Sequence, residues 1–129
     1  MAVMRAAGRG DAEVDWLADK IAGLRVFEDA AGRTNLALSD VGGAVLLVPQ
    51  FTLAADWRKG RRPSFTAAAA PDEARRLLER LGAGLSARGL SVATGSFGAS
   101  MRVALVNDGP FTLLLDSREH PASRPAAST

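Results

Sequence analysis

The sequence predicts one compact domain of the mixed α/β class, with two helices and small, largely antiparallel sheets. The chain has 129 residues, the length of a single domain, and 47% of them are apolar, which is enough for one hydrophobic core. Two segments repeat apolar residues at helical spacing, and shorter apolar runs between glycines and prolines have the length of strands. The order αββ, β, α, ββ fits a compact mixed domain. The sequence has no internal repeat of the kind that a solenoid requires.

Two helices are predicted from the period of their apolar residues. The first begins at Asp11, has acidic residues in its first turn, where the helix dipole favours them, and ends at Gly23. The second begins at Pro71, again with acidic residues in its first turn, and ends at Gly89. The apolar stripes comprise Val14, Leu17, Ala18 and Ile21 in the first helix and Ala74, Leu77, Leu78, Leu81 and Leu85 in the second.

Strands are predicted at residues 24–27, 34–38, 44–48, 101–105 and 111–115. The run at 44–48 contains no polar residue, so we expect it to be buried on both faces. Pro49 has no N–H to donate to a sheet, so pairing should end there. Residues 101–105 alternate between large apolar residues and arginine or alanine, which is typical of a half-buried strand.

Composition excludes most of the common catalytic chemistries. The chain has no cysteine, which excludes disulfides, thiol nucleophiles and zinc–thiolate sites. Its one histidine, His120, lies in residues 117–129, whose composition predicts a disordered tail. Phosphate-binding loops, dinucleotide-binding glycine motifs, zinc-protease motifs and serine-hydrolase elbows are absent, and the acidic residues form no tight cluster. We therefore expect one folded domain over residues 1–116, with no metal and no cofactor.

The sequence carries no signal for membrane insertion or export. No apolar run approaches the length of a membrane-spanning helix, and the first ten residues lack the apolar stretch of a signal peptide. We expect a cytoplasmic protein with no membrane partner.

Two segments place unusual residue combinations at the ends of predicted strands. Residues 49–56, Pro-Gln-Phe-Thr-Leu-Ala-Ala-Asp, bring an amide, an aromatic ring and a hydroxyl to the carboxyl end of an apolar strand, where open α/β sheets bind ligands. Residues 107–112, Asn-Asp-Gly-Pro-Phe-Thr, form a turn whose Gly-Pro pair joins the most conformationally free residue to the only residue that readily takes a cis peptide bond. Each segment alone is also compatible with an ordinary strand end or an Asx-type turn.

Together the two segments resemble the D-aminoacyl-tRNA deacylase family. Members of that family carry a Ser-Gln-x-Thr-Leu segment and, downstream, an Asn-x-Gly-Pro-x-Thr segment. The resemblance covers most of the chain and includes, in the same order, Gly60-Arg-Arg-Pro-Ser-Phe65, Thr94-Gly95, Phe97-Gly98 and Met101. It implies the fold of that family and an enzyme that hydrolyses the ester of D-aminoacyl-tRNA, or of glycyl-tRNA mischarged on alanine tRNA.

The resemblance also implies roles for individual residues. The aminoacyl pocket and its chemistry would be formed by Gln50, Phe51 and Thr52. Substrate binding would involve Phe97 and Met101, towards the terminal adenosine, and Asn107 and Thr112 in the second motif.

The family works as a homodimer, and the resemblance implies that its second motif acts across the dimer. Gly109 and a cis Pro110 would enter the partner's active site, where main chain presses against the Cα substituent and excludes L-amino acids. The resemblance therefore implies that the nucleic acid partner is the 3′ end of aminoacyl-tRNA and that the protein does not bind DNA.

The residues available near Thr52 favour a positioning role for its hydroxyl. A threonine nucleophile needs a base, and only Asp56 and Lys59 lie nearby in sequence, with no histidine or cysteine in the predicted domain. An aminoacyl ester is labile, so main-chain donors together with a ribose 2′-hydroxyl that orients water could suffice.

The chain departs from the family pattern at two places. Pro49 stands where the family usually has serine. Related animal deacylases that tolerate some L-aminoacyl-tRNA also have proline here, so the sequence predicts deacylase activity more strongly than strict rejection of L-amino acids. The family's opening strand pair, with an arginine that braces the Gly-Pro loop, is not matched here. We therefore expect an N-terminally shortened domain with an unpaired sheet edge and reduced stability and activity.

Two other functions are compatible with the sequence. One is a catalytically decayed relative that binds tRNA or another RNA, and the other is a truncated structural subunit. Residues 57–62, Trp-Arg-Lys-Gly-Arg-Arg, suit phosphates or a stacked base, but a solvated loop is equally compatible with a net charge of only +2. On the second helix, Arg75, Arg76 and Arg80 are expected to pair with acidic residues of the same helix.

Overall fold

The computed structural model describes residues 2–5, 10–109 and 111–119. Two helices and three two-stranded sheets make up the described architecture, which confirms the mixed α/β class. Pro110 and residues 120–129, which include His120, lie outside the described residues.

The two predicted helices are confirmed and pack against each other. Helix α1 spans Asp11–Gly23 and helix α2 spans Pro71–Ala87. Their apolar stripes face each other, and the side chains of Leu17 and Leu85 are 1% and 0% exposed. Gly84 lets the helices approach closely, because a Cβ at this position would lie 3.2 Å from the Cβ of Ala18. The helix pair is therefore the centre of the hydrophobic core, to which Val14, Ala18, Leu47, Leu77, Leu81 and Leu90 also belong.

Helix α2 ends in the way that its glycine predicts. Gly89 has φ of +81°, a conformation that costs glycine little, and its N–H donates to the carbonyl of Ser86. The N–H of Leu90 reaches back to the carbonyl of Leu85, which completes a Schellman motif. Both leucines are buried, so the cap also starts the chain back into the core.

Two of the three described strand pairs are parallel, which corrects the expectation of largely antiparallel sheets. Strand β1 (Ala2–Arg5) pairs in parallel with β6 (Leu113–Asp116), and β4 (Ala44–Leu47) pairs in parallel with β5 (Ser91–Thr94). Only β2 (Phe27–Glu28) and β3 (Thr34–Leu36) form an antiparallel hairpin among the described strands. The reason is the connection: α2 carries the chain from β4 back to the start of β5, as crossover helices do between parallel strands.

Several predicted strands differ from the observed ones. Strand β4 alternates in burial, with Leu46 60% exposed, so it is not buried on both faces as predicted. Residues 101–105, predicted as a half-buried strand, are exposed and have no strand assignment. The sequence pattern does not predict strand β5, because its sequence Ser-Val-Ala-Thr contains only one large apolar residue.

The chain continues in regular structure past the predicted domain end at residue 116. Ser117–Glu119 forms a 3-10 turn, and both Asp116 and Ser117 are buried. In the part of the chain that the structure describes, no helix is both long and apolar enough to cross a membrane.

Candidate functional site

The carboxyl ends of β4 and β5 meet at one edge of their sheet. Leu47 pairs with Thr94, and the N–H of Gly95 donates to the carbonyl of Leu47 over 3.1 Å. The segments after the two strands therefore leave the sheet side by side. We call this place the β4/β5 edge; it is formed by residues 49–54 and 95–101.

The first segment of the β4/β5 edge presents the Gln-Phe-Thr residues to solvent. Gln50 is extended and precedes a 3-10 turn over Phe51–Ala54, which buries Ala54 and leaves Phe51 62% exposed. The side chain of Thr52 is exposed too. Because Phe51 and Thr52 begin the turn, the turn itself does not use their backbone N–H groups, and no described residue accepts a hydrogen bond from them.

The ring of Phe51 is held from one side. It meets the ring of Phe65 edge to face, with centroids 5.1 Å apart and planes at 73°. Phe65 follows directly on a short bridge between Asp56 and Ser64, so the loop that the bridge closes returns to the site.

Met101 folds back onto the second segment of the β4/β5 edge. The N–H of Ser96 points at the Met101 sulfur over 3.3 Å, and a Cβ at Gly95 would lie 2.9 Å from that sulfur. The same Cβ would lie 3.9 Å from Cδ of Pro49. Glycine at 95 thus makes room for Met101 beside the residue that precedes Gln50.

Phe97 is half-buried and carries a cation on its ring. Cζ of Arg75, from the second turn of α2, lies 4.5 Å from the ring centroid of Phe97, within the range of a cation–π contact. Helix α2 thereby contributes a guanidinium to the β4/β5 edge.

The Asn-Asp-Gly-Pro-Phe-Thr segment lies in exposed chain before β6. Asn107, Gly109 and Thr112 are exposed, and Pro110 lies outside the described residues. A Cβ at Gly109 would lie 2.8 Å from the backbone nitrogen of Phe111, so this position requires glycine. Among the described residues, no hydrogen bond joins Asn107 or Thr112 to residues 50–52.

Residues 57–62, which we call the basic loop, lie between Asp56 and Ser64. The backbones of Asp56 and Ser64 exchange hydrogen bonds of 2.7 and 2.8 Å. Trp57 is 75% exposed, and Arg58 pairs with Asp56 at 3.3 Å. The remaining cations, Lys59, Arg61 and Arg62, have no carboxylate within salt-bridge distance in the described part of the chain.

The sequence of the chain matches one protein family over most of its length. A sequence model of the family described as D-Tyr-tRNA(Tyr) deacylase matches residues 2–116. The chain belongs to the D-Tyr-tRNA(Tyr) deacylase family. The resemblance predicted from the two motifs is thereby confirmed.

Curated relatives of this deacylase family match most of the chain. D-aminoacyl-tRNA deacylase of Heliobacterium modesticaldum is 58% identical over 92% of this chain and 80% of its own length. The proteins of that name from Chloroflexus aurantiacus and Thermus aquaticus are 60% and 61% identical, over 90% and 84% of this chain and 72% of each relative. A solved structure called c-Myc DNA Unwinding Element Binding Protein superposes with a TM-score of 0.74 at 31% identity, covering 85% of this chain and 76% of that one.

In this family member the described residues around Thr52 do not form a nucleophile–base pair. No hydrogen bond to the Thr52 hydroxyl is present among the described residues. Asp56, the nearest carboxylate in sequence, accepts hydrogen bonds from the backbone and guanidinium of Arg58. No three His, Cys, Asp or Glu side chains group closely enough to hold a metal ion in the described chain.

The residue that sequence reasoning missed at the β4/β5 edge is Arg75. Its acidic neighbours Asp72 and Glu79 stand three residues before and four after it, which predicts ion pairs on the helix surface. The structure forms neither pair and turns the guanidinium towards Phe97. Helix spacing alone contains no signal for this contact, because it depends on where the chain after β5 passes α2.

Proposed function

We propose that this chain is a D-aminoacyl-tRNA deacylase, which hydrolyses the ester between a D-amino acid and the terminal ribose of tRNA. Family membership over residues 2–116 carries this proposal, together with relatives of that name at 58% to 61% identity. The β4/β5 edge supports it, since it presents an exposed amide, ring and hydroxyl beside main-chain donors that no described residue uses.

The site residues receive roles that follow from their positions on the β4/β5 edge. The N–H groups of Phe51 and Thr52 stabilise the oxyanion that develops on the ester carbonyl, and the Gln50 amide lines the same pocket. Phe97 and Met101 receive the terminal adenosine. Asn107 and Thr112 bind substrate from the second motif.

Hydrolysis in this site proceeds without a protein nucleophile. The Thr52 hydroxyl has no described base beside it, so it positions the substrate instead of attacking it. The ribose 2′-hydroxyl of the substrate orients a water molecule onto the ester carbon. The carbonyl carbon gains the water oxygen, the ester bond to the ribose breaks, and a proton of the water passes to the ribose oxygen, so that free tRNA and amino acid leave.

Rejection of L-amino acids depends on a second subunit. Gly109 and Pro110 of one protomer enter the site of its partner, where backbone leaves no space for an L side chain. The exposed apolar residues Val103, Leu105 and Val106 support an interface near this motif. Glycyl-tRNA, which has no Cβ, is also hydrolysed, and Pro49 in place of serine makes some turnover of L-aminoacyl-tRNA possible.

The basic loop supports tRNA as the substrate. Its exposed tryptophan and the cations at 59, 61 and 62, which pair with no described carboxylate, suit a stacked base and the phosphates of the acceptor end. As an enzyme of charged tRNA, the protein acts in the cytoplasm. The solved relative's name refers to DNA, so DNA is the competitor against which tRNA binding is measured.

A deacylation assay tests the proposal. Purified protein is incubated with D-Tyr-tRNA, with glycyl-tRNA made on alanine tRNA, and with L-Tyr-tRNA as the control substrate. We expect rapid release from the first two and slow release from the third. Binding of tRNA without release from any of them would instead favour a catalytically decayed RNA-binding relative, and preferential binding of single-stranded DNA would contradict the substrate class.

A further inference from the structure

Arg75 is the arginine of helix α2 that the helix packing leaves unused. The guanidinium of Arg76 donates to Glu73 and to Asp11 of helix α1, and that of Arg80 donates to Asp15 of α1. Arg75 has no carboxylate within salt-bridge distance in the described part of the chain, and its guanidinium lies over the Phe97 ring instead.

A guanidinium that stacks on a ring keeps its hydrogen-bonding capacity. The ring occupies one face of the planar group, whereas the N–H donors lie in the plane and point away from the contact. Such an arrangement loses little side-chain freedom when an anion arrives, because stacking has already restricted the rotamer. The in-plane fork of donors matches the oxygens of a phosphate.

The location of the Arg75–Phe97 pair indicates which anion it would meet. Phe97 follows β5 at the same edge as Gln50 and Thr52, and Met101 folds back onto Gly95, which lies beside Pro49. A nucleotide whose ester reaches residues 50–52 carries its 5′ phosphodiester a few ångströms beyond its ribose. A cation at the rim of the same edge is therefore suited to that phosphodiester and not to the reacting ester.

We propose that Arg75 binds the phosphodiester that joins the terminal nucleotide of the tRNA to the preceding one, and that Phe97 positions its guanidinium. This inference rests on the proposed function, because it assumes aminoacyl-tRNA as the substrate. Arg75 touches the substrate away from the scissile bond, so it acts on KM and leaves kcat nearly unchanged.

The test compares two substrates that differ in whether they contain the phosphodiester. D-Tyr-tRNA contains it, and the D-tyrosyl ester of adenosine does not. For Arg75→Met we expect kcat/KM on D-Tyr-tRNA to fall by about tenfold, the value of one charge-assisted hydrogen bond, mainly through KM. On the adenosine ester the fall should be much smaller. Equal losses on both substrates would overturn the proposal and leave Arg75 with a packing role.

Salt dependence provides a second readout that packing would not change. Loss of one phosphate contact to single-stranded RNA should reduce the slope of log kcat/KM against log salt concentration by about 0.7. Arg75→Lys, which keeps the charge but not the planar fork, should retain that slope while recovering only part of the affinity. An unchanged slope in Arg75→Met contradicts the proposal.

The matched control is Arg33→Met, at an exposed arginine in the turn between β2 and β3, whose side chain has no described partner. It removes the same charge and should change neither slope nor KM. Circular dichroism checks that each variant is folded. If Arg75→Met does not fold, the comparison is made with Arg75→Lys. If wild-type protein deacylates D-Tyr-tRNA while Arg75→Met behaves like Arg33→Met, only the Arg75 inference fails. If wild-type protein deacylates nothing, the proposed function fails first.

Discussion

Thr52 differs from a catalytic nucleophile in its surroundings. It is exposed, its hydroxyl has no described hydrogen-bond partner, and Asp56 is already occupied by Arg58. We therefore expect Thr52→Ala to lower kcat for D-Tyr-tRNA by no more than about 100-fold, the scale of a misplaced substrate. Thr52→Ser, which restores a hydroxyl, should recover most of the rate. Single-turnover deacylation measures both variants.

The matched control for Thr52 is Thr34→Ala, at an exposed threonine of β3, which should leave turnover unchanged. Binding of a non-hydrolysable amide analogue of the aminoacylated 3′ end separates affinity from chemistry. Complete loss of turnover in Thr52→Ala with unchanged binding of that analogue would make the hydroxyl the nucleophile.

Single residues show where sequence reasoning works and where it ends. The exposed position of Gln50, Phe51 and Thr52 at the sheet edge could be predicted, because their motif comes directly after an apolar strand. Arg75 could not, because its contact with Phe97 joins residues 22 positions apart through the packing of α2 beside β5. The proposed approach of the second motif to the pocket needs a second chain, so it stays a prediction.

At the level of elements, ion pairs between the helices are the feature that the sequence pattern does not predict. Helical spacing correctly predicts the pair of Arg76 with Glu73 within α2, but Arg76 and Arg80 also pair with Asp11 and Asp15 of α1. The hydrogen bond from Arg80 holds the pKa of Asp15 below its usual value, and the hydrogen bond from Arg76 does the same for the pKa of Glu73. These pairs join the exposed faces of the two helices beside their shared leucine core.

The lowered carboxylate pKa values predict an acid-sensitive helix pair. A carboxylate whose pKa is lower in the folded state stabilises the fold above its unfolded pKa, and that contribution is lost as pH falls through the folded value. The ordinary pKa values are 3.8 for Asp15 and 4.5 for Glu73, so the loss should begin as pH falls below these values. Arg80→Met should lower Tm at pH 7 and reduce the further drop of Tm at acid pH, because Asp15 then loses its main partner.

Thermal unfolding followed by circular dichroism across this pH range measures the effect. Arg62→Met is the control, since Arg62 is exposed in the basic loop and pairs with no described carboxylate. A wild-type Tm that does not change with pH, or an Arg80→Met profile parallel to that of wild type, would show that the pairs contribute nothing measurable.

The helices could be predicted to the residue at several ends, and the strands could not. Helix signals are local: acidic first turns, Pro71, and Gly89 with positive φ all act within one turn of the chain. A strand exists only with its partner, so Ser91–Thr94 forms β5 through pairing with β4 despite a weak pattern. Residues 101–105 have the alternation of a strand but no described partner strand in the same chain.

At the level of the whole molecule, the exposed apolar residues before the second motif support the proposed dimer. Leu105 and Val106 are 58% and 92% exposed, and they precede the Asn-Asp-Gly-Pro-Phe-Thr motif directly. Isolated exposed leucines are common, but a strand-like run of apolar residues without a described partner strand is typical of an interface. A dimer formed here would also carry Gly109 and Pro110 towards a neighbouring subunit.

We therefore expect light scattering after size exclusion to give about twice the 13.4 kDa of one chain. Leu105→Glu combined with Val106→Glu should produce a monomer, because buried unpaired carboxylates oppose association. The monomer should keep its helical circular dichroism and lose discrimination between D- and L-Tyr-tRNA, since no partner backbone then limits the pocket. Val41→Glu, at an apolar residue of the Ser39 to Gly42 turn with 43% exposure, should remain dimeric and selective. A wild-type monomer with full D-selectivity would contradict both the interface and the origin of chiral rejection, because the pocket of one chain would then have to exclude L-amino acids by itself.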